Sequence, residues 1–191
     1  PDGRTIAFQA VGRIYTQPGA SGAPKRVTDA AFKPLEYAPT WSPDGRSIAF
    51  VTWDDTGRGN VWKVAAAGGM PQRVTSEPGD YVDPVWSPDG RTITVARGEG
   101  ATARGRTLTH NAWYDLVALN ATAAAGDTGV VLSTILRPSG AGIGGEARRQ
   151  LVRPSYGPEG RLFWIDEKGA APGGGRGGTA LMSVKTDGSD K

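Results

Sequence analysis

A twelve-residue phrase occurs twice at an offset of 45 residues: Pro39-Thr-Trp-Ser-Pro-Asp-Gly-Arg-Ser-Ile-Ala-Phe and Pro84-Val-Trp-Ser-Pro-Asp-Gly-Arg-Thr-Ile-Thr-Val. The chain opens on the same turn, Pro1-Asp-Gly-Arg-Thr-Ile-Ala-Phe, and a degraded copy reads Pro154-Ser-Tyr-Gly-Pro-Glu-Gly-Arg-Leu-Phe-Trp-Ile. A second element, Gly22-Ala-Pro-Lys-Arg-Val-Thr, returns as Gly69-Met-Pro-Gln-Arg-Val-Thr. Recurrence at this interval means one supersecondary unit used repeatedly, each copy burying its apolar faces only against its neighbours.

The unit reads as strands joined by tight turns. In Pro-Asp-Gly, proline presets φ, aspartate can bond back to the backbone, and glycine accepts positive φ. The residues that follow, Ser47-Ile-Ala-Phe-Val-Thr and Thr92-Ile-Thr-Val-Ala, are β-branched or continuously apolar, so each turn joins two strands. Further strands are predicted at Arg13-Ile-Tyr-Thr, Asn60-Val-Trp-Lys-Val, Tyr114-Asp-Leu-Val-Ala-Leu and Ala180-Leu-Met-Ser-Val, with Gly-rich turns such as Asp55-Thr-Gly-Arg-Gly and Ala67-Gly-Gly-Met between them. Many of the 29 Gly and 14 Pro thus belong to repeated turns, and long helices are disfavoured. Three to four short antiparallel strands in a unit of about 42 to 45 residues is the period of a β-propeller blade. The predicted fold class is all-β, a propeller of about four blades over approximately 1–35, 36–80, 81–150 and 151–191, together one partial propeller spanning 1–191.

The turn acids fall at Asp2, Asp44, Asp89 and Glu159, and the last interval is much the longest. One blade has thus absorbed an insertion, placed between Gly98 and Gly145, where Gly98-Glu-Gly-Ala-Thr-Ala-Arg-Gly-Arg and Pro138-Ser-Gly-Ala-Gly-Ile-Gly-Gly read as surface loops around two strands. The run Gly173-Gly-Gly-Arg-Gly-Gly reads as a hairpin tip.

The wording Trp-Ser-Pro-Asp-Gly-Arg, then Ile-Ala-Phe, then a Val-Trp or Ile-Tyr strand, then Gly-Gly-x-Pro-x-Arg-Val-Thr resembles the TolB-type propeller repeat, itself related to the WD repeat. That resemblance covers nearly the whole chain and is weakest over 98–150. The repeat occurs in periplasmic TolB-like proteins, in propellers of prolyl-oligopeptidase-type peptidases, and ahead of the metal-dependent barrel of bacterial amidohydrolases. Tyr37-Ala-Pro-Thr-Trp-Ser-Pro-Asp-Gly-Arg-Ser-Ile-Ala-Phe-Val-Thr-Trp-Asp-Asp, Val61-Trp-Lys-Val, Tyr81-Val-Asp-Pro-Val-Trp-Ser-Pro-Asp-Gly and Leu181-Met-Ser-Val-Lys-Thr-Asp-Gly-Ser-Asp are most similar to the amidohydrolase-related group. The resemblance implies an exported, periplasmic parent hydrolase whose divalent metal would sit in a separate catalytic domain. It also implies more blades, since Pro1 lies inside a turn motif without its leading Trp-Ser and Lys191 stops short of a Pro-x-Arg-Val-Thr element.

The residues present assign no catalytic, cofactor-binding or metal site to this segment. An amidohydrolase centre needs several converging imidazoles and carboxylates, and the chain has one histidine, His110, read as a loop residue. A Ser-His-Asp triad would need that same histidine, and no Gly-x-Ser-x-Gly elbow is present. Zero cysteines exclude disulfides, a zinc ribbon and a thiol nucleophile. The Gly-x-Gly-x-x-Gly matches at Gly140, Gly142, Gly145 and at Gly173, Gly175, Gly178 lack the strand-to-helix setting that dinucleotide binding requires. Asn120-Ala-Thr122 fits a glycosylation sequon. The turn acids belong to separate blades and are expected not to share an ion, while Trp41, Trp86 and Tyr156 are expected to pack between blades rather than to stack a ligand. Arg104, Arg106, Arg148 and Arg149 are read as solvated loop residues. A net charge of +3 with scattered basic residues does not point to nucleic acid, and no apolar run is long enough to span a bilayer. The expected partner is a neighbouring catalytic domain, a protein or a peptide.

Overall fold

The computed structural model describes residues 3–98, 113–124, 126–136, 153–157, 159–167 and 179–190. Every element among them is a strand: β1 (Thr5–Ala10), β2 (Arg13–Pro18), β3 (Lys25–Arg26), β4 (Leu35–Trp41), β5 (Ser47–Trp53), β6 (Asn60–Ala65), β7 (Gln72–Arg73), β8 (Asp80–Trp86), β9 (Thr92–Gly98), β10 (Trp113–Asn120), β11 (Val130–Leu136), β12 (Ser155–Tyr156), β13 (Leu162–Glu167) and β14 (Thr179–Val184). They form four antiparallel sheets in sequence order, β1-β2-β3, β4-β5-β6-β7, β8-β9-β10-β11 and β12-β13-β14. The insertion predicted after Gly98 contains two strands, β10 and β11, which complete the third sheet. Its flanking loops and the Gly173 run lie outside the described residues.

The sheets stack face to face, so the middle ones bury both sides, and their central strands read as unbroken apolar runs for that reason. Along β5, Ile48 and Phe50 face the first sheet with Ile14, Val27, Phe32 and Val64. The alternate residues Ala49 and Val51 face the third sheet with Val61, Val74, Tyr81, Trp86, Ile93 and Val95. In β9 the period repeats: Ile93 and Val95 look back to the second sheet, while Ala96 joins Leu116, Leu132, Leu162, Trp164 and Val184 against the fourth. Three interblade cores thus follow from one alternation.

The second repeat element fastens the first blade to the second and the second to the third. Gly69 N–H donates to Val27 O at 2.9 Å and Asp29 N–H to Gly69 O at 2.9 Å. One blade on, Asp127 N–H donates to Val74 O at 2.7 Å and Ser76 N–H to Asp127 O at 3.0 Å. Each pair makes a one-residue parallel bridge, Thr28 to Gly69 and Thr75 to Asp127. The approach is close enough to need glycine, because a Cβ on Gly126 would lie 2.9 Å from the backbone of Thr75, and φ there is +82°.

The fourth blade departs from its sequence alignment. Matching Arg161 with Arg46 places Leu162 opposite Ser47, but the pairing of Tyr156 with Leu162 makes Leu162 the counterpart of Ile48, which pairs with Trp41. The turn is one residue shorter, closing with Gly157 N–H on Arg161 O where Ser42 N–H binds Ser47 O. A slip of one residue exchanges the two faces of a strand. Leu-Phe-Trp-Ile is apolar at every position and tolerates it, so Leu162 and Trp164 enter the core.

Candidate functional site

The two full copies of the turn are built alike and sit side by side. Ser42 Oγ donates to Asp44 Oδ1 at 2.6 Å and accepts from Ser47 N–H at 2.9 Å, while Arg46 N–H donates to Asp44 Oδ1 at 3.0 Å. Ser87, Asp89, Arg91 and Thr92 repeat this at 2.5, 3.0 and 3.0 Å. These donors, the serine hydroxyl first and the arginine N–H second, hold the Asp44 and Asp89 carboxyls below the usual carboxylate range. Both are ionised at neutral pH.

Together the turns line a cleft of about 470 Å³ between the second and third blades. Asp44 and Asp89, which belong to separate blades, both border it, with Lys63, Trp86 and Thr122. Lys63 Nζ donates to Ala121 O at 2.6 Å and so ties the blades across the cleft. Among the described residues no group of three or more His, Cys, Asp or Glu side chains could hold a metal ion. The charged groups that line the cleft, Asp44, Asp89 and Lys63, also hold the turns and the blade junction together.

The other predicted positions separate cleanly. Trp41, Trp86 and Tyr156 pack at the first, second and third blade junctions in turn, and Tyr156 shares a 2.7 Å hydrogen bond with Thr94 of the preceding blade. Asn120 of the sequon spends its side chain locally, its Oδ1 accepting from Thr122 N–H at 2.9 Å and Thr122 Oγ1 at 2.8 Å. Glu159 lies in the shortened fourth-blade turn. Asp2, His110, Arg104, Arg106, Arg148, Arg149 and both glycine fingerprints lie outside the described residues. No helix among the described residues is long and apolar enough to cross a membrane.

Two features escaped the sequence. Glu36, fully buried, accepts from Ile14 N–H at 2.9 Å, Thr28 Oγ1 at 2.8 Å and Arg26 Nη2 at 3.3 Å. It locks the Arg-Val-Thr element of the first blade to the inner strand of the second. Left-handed residues also precede each repeated proline, at Ala38, Asp83 and Arg153. In β4 and β8 the first two of these form bulges. The prolines at 39, 84 and 154 were the available signal, although proline by itself favours an extended predecessor.

No protein-family model and no curated protein matches the chain. Solved structures do. A protein assigned as a TolB from Agrobacterium tumefaciens superposes with a TM-score of 0.61 at 19% identity, over 100% of this chain and 57% of that one. TolB from Acinetobacter baumannii gives 0.60 at 21% identity, over 98% and 39%. A puromycin-hydrolyzing peptidase from Mycobacterium tuberculosis gives 0.55 at 16% identity, over 94% and 32%. The chain therefore spans between about a third and three fifths of the length of these proteins. At such identities the likeness concerns the fold, and the fold is an incomplete, four-bladed arc of a TolB-like β-propeller.

Proposed function

We propose that this chain is a non-catalytic propeller segment of a larger, exported bacterial hydrolase of the amidohydrolase-like kind, framing a neighbouring active site or docking a partner. One observation carries the non-catalytic part: the repeated polar side chains are consumed by the fold itself. Asp44 and Asp89 brace turns, Glu36 pins a blade junction, and Trp86 Nε1 donates to Thr40 O across another at 3.2 Å. What remains for function is surface, notably the cleft at Lys63. The wording of the repeats supports the amidohydrolase assignment. Reading the gene past Lys191 tests it: a barrel with a His-x-His strand is the expected result, and its absence overturns that parent.

A second reading is a stand-alone TolB-like periplasmic interaction module. The superposition on two TolB structures favours it. It predicts a parent made of further blades alone and a protein captured by the intact molecule. The likeness to the peptidase supports a third parent, which a downstream Gly-x-Ser-x-Gly elbow would reveal.

A further inference from the structure

The repeated turns carry their acids in a dipeptide that is open to spontaneous rearrangement. In an Asp-Gly pair the glycine nitrogen, unhindered by a side chain, can attack the aspartate carboxyl carbon. A C–N bond forms, a C–O bond breaks, and the carboxyl hydroxyl leaves as water with the amide proton. Water then adds to either carbonyl of the resulting succinimide and returns aspartate or its isomer isoaspartate, in which the backbone runs through the side chain. Water is the only co-reactant. Among the described residues such pairs stand at Asp44-Gly45, Asp89-Gly90 and Asp187-Gly188, and all three aspartates are exposed. Glycine is required at each, since φ is +69°, +70° and +83°.

The turn engages both reacting groups. Gly45 N–H donates to Ser42 O and Gly90 N–H to Ser87 O, both at 2.9 Å, so the attacking nitrogen is held. Ser87 Oγ at 2.5 Å and Arg91 N–H at 3.0 Å both donate to Asp89 Oδ1, as Ser42 and Arg46 do to Asp44. These donors keep the carboxyl ionised, and a carboxylate has no hydroxyl to lose. At Asp187 the donors are the Ser189 hydroxyl first and the Ser189 N–H second, the latter at 2.8 Å. The fourth blade supplies the comparison. Of the three copies that include the serine position, Tyr156-Gly-Pro-Glu159-Gly alone lacks the serine, and it alone carries glutamate. Glutamate would have to close a six-membered ring, which forms far more slowly. Hydroxyl and reactive acid are present together and absent together.

We propose that Ser42 and Ser87 protect Asp44 and Asp89 from isomerisation to isoaspartate. Each hydroxyl ties its aspartate Oδ1 to the N–H that opens the following strand, Ser47 or Thr92, and so keeps the carboxyl carbon from swinging over the glycine nitrogen. Isomerisation would insert a methylene into the backbone of the turns that join β4 to β5 and β8 to β9. It would also displace the carboxylates that border the Lys63 cleft. The protection belongs to the turn and holds whichever catalytic domain, if any, accompanies the propeller.

The test is timed incubation of the whole chain at neutral pH, with isoaspartate read site by site in separated tryptic peptides and by methyl transfer from an isoaspartyl methyltransferase. A synthetic peptide of residues 86–91, Trp86-Ser-Pro-Asp-Gly-Arg, gives the unprotected rate, and Asp44 and Asp89 in the folded chain should fall well below it. Ser87→Ala, checked for an unchanged circular dichroism spectrum, should speed Asp89 roughly 3- to 10-fold, the release expected for one lost hydrogen bond, and leave Asp44 at its own rate. Glu159→Asp sets an Asp-Gly pair beside Gly157 and should make the fourth turn isomerise faster than either protected site. Gly126→Ala weakens the junction of the second and third blades without touching the turn, and should leave Asp89 unchanged. A rise at Asp89 in Gly126→Ala as large as in Ser87→Ala would assign the effect to general unfolding and overturn the proposal. Asp89 at the peptide's rate in the unaltered chain would overturn it too, as would no acceleration in Ser87→Ala or a fourth turn as slow as Asp89 in Glu159→Asp.

Discussion

At Ser42 and Ser87 a single hydroxyl does what the Pro-Asp-Gly turn cannot do alone. It donates to the aspartate and receives the N–H of the next strand, so the carboxylate and the strand are fixed together. Ser87→Ala leaves the half-buried N–H of Thr92 without its partner and should cost about 0.5–1.5 kcal/mol in denaturant unfolding. Because Asp89 is held below its ordinary value, its contribution is complete above about pH 4 and is lost as pH falls through the folded value. The difference between wild type and Ser87→Ala should therefore narrow on acidification below that point; a difference that widened there would contradict the assignment. Val11 illustrates the opposite case. It is 95% exposed and left-handed, with φ +49°, in the two-residue hairpin it forms with Gly12. β-Branched residues are poor there and Asn-Gly is favoured, so Val11→Asn should raise stability by about 1 kcal/mol, or Tm by about 2–4 °C. The serine and aspartate were legible because the phrase is repeated. Glu36 was not, since its equivalent in the next blade is Tyr81, one place before Val82 and Asp83, and a partner set drawn from Ile14, Arg26 and Thr28 exists only after folding.

Among the elements, the strands were readable where apolar residues are dense. β5, β6, β9 and β10 bury both faces and read as strands by composition alone, whereas β3 and β7 are two residues long and make no periodic signal. The fourth blade shows how alignment can mislead: Arg161 looks like Arg46, yet the missing serine and a shorter turn move the whole of β13 by one residue. Gly157 suits that change, because the Phe163 ring lies over it and a Cβ would approach the ring to 2.6 Å. The register makes a distinct prediction. Leu162, with 0% exposure, should cost about 2–5 kcal/mol on mutation to Ala, and half-buried Phe163 clearly less. The reverse order would restore the alignment register. The interblade bridge is tested by Gly126→Ala, which introduces both a positive-φ penalty and a 2.9 Å backbone approach and should lower stability by about 1–3 kcal/mol.

For the molecule as a whole, the account is that four sheets form one continuous stack, with the repeats written to make the junctions. In the second and third blades the Trp-Ser-Pro-Asp-Gly phrase turns the inner strand into the next, the Arg-Val-Thr phrase fastens the first blade to the second and the second to the third, and three apolar cores fill the spaces between blades. Repeats of this kind are stabilised by nearest-neighbour contacts, so weakening one junction should open that junction ahead of the others. The fold was largely legible because its signal is periodic. The cleft at Lys63 was not, because it arises from two turns 45 residues apart meeting across a junction. Hydrogen exchange at Asp29, Gly69, Ser76 and Asp127 reads the stack most directly. These four amides lie outside every strand ladder and are bonded only from one blade to the next. The account predicts protection approaching that of the β5 and β9 amides, with Gly126→Ala releasing Ser76 and Asp127 first. Exchange at the rate of an open loop in the unaltered chain would contradict it.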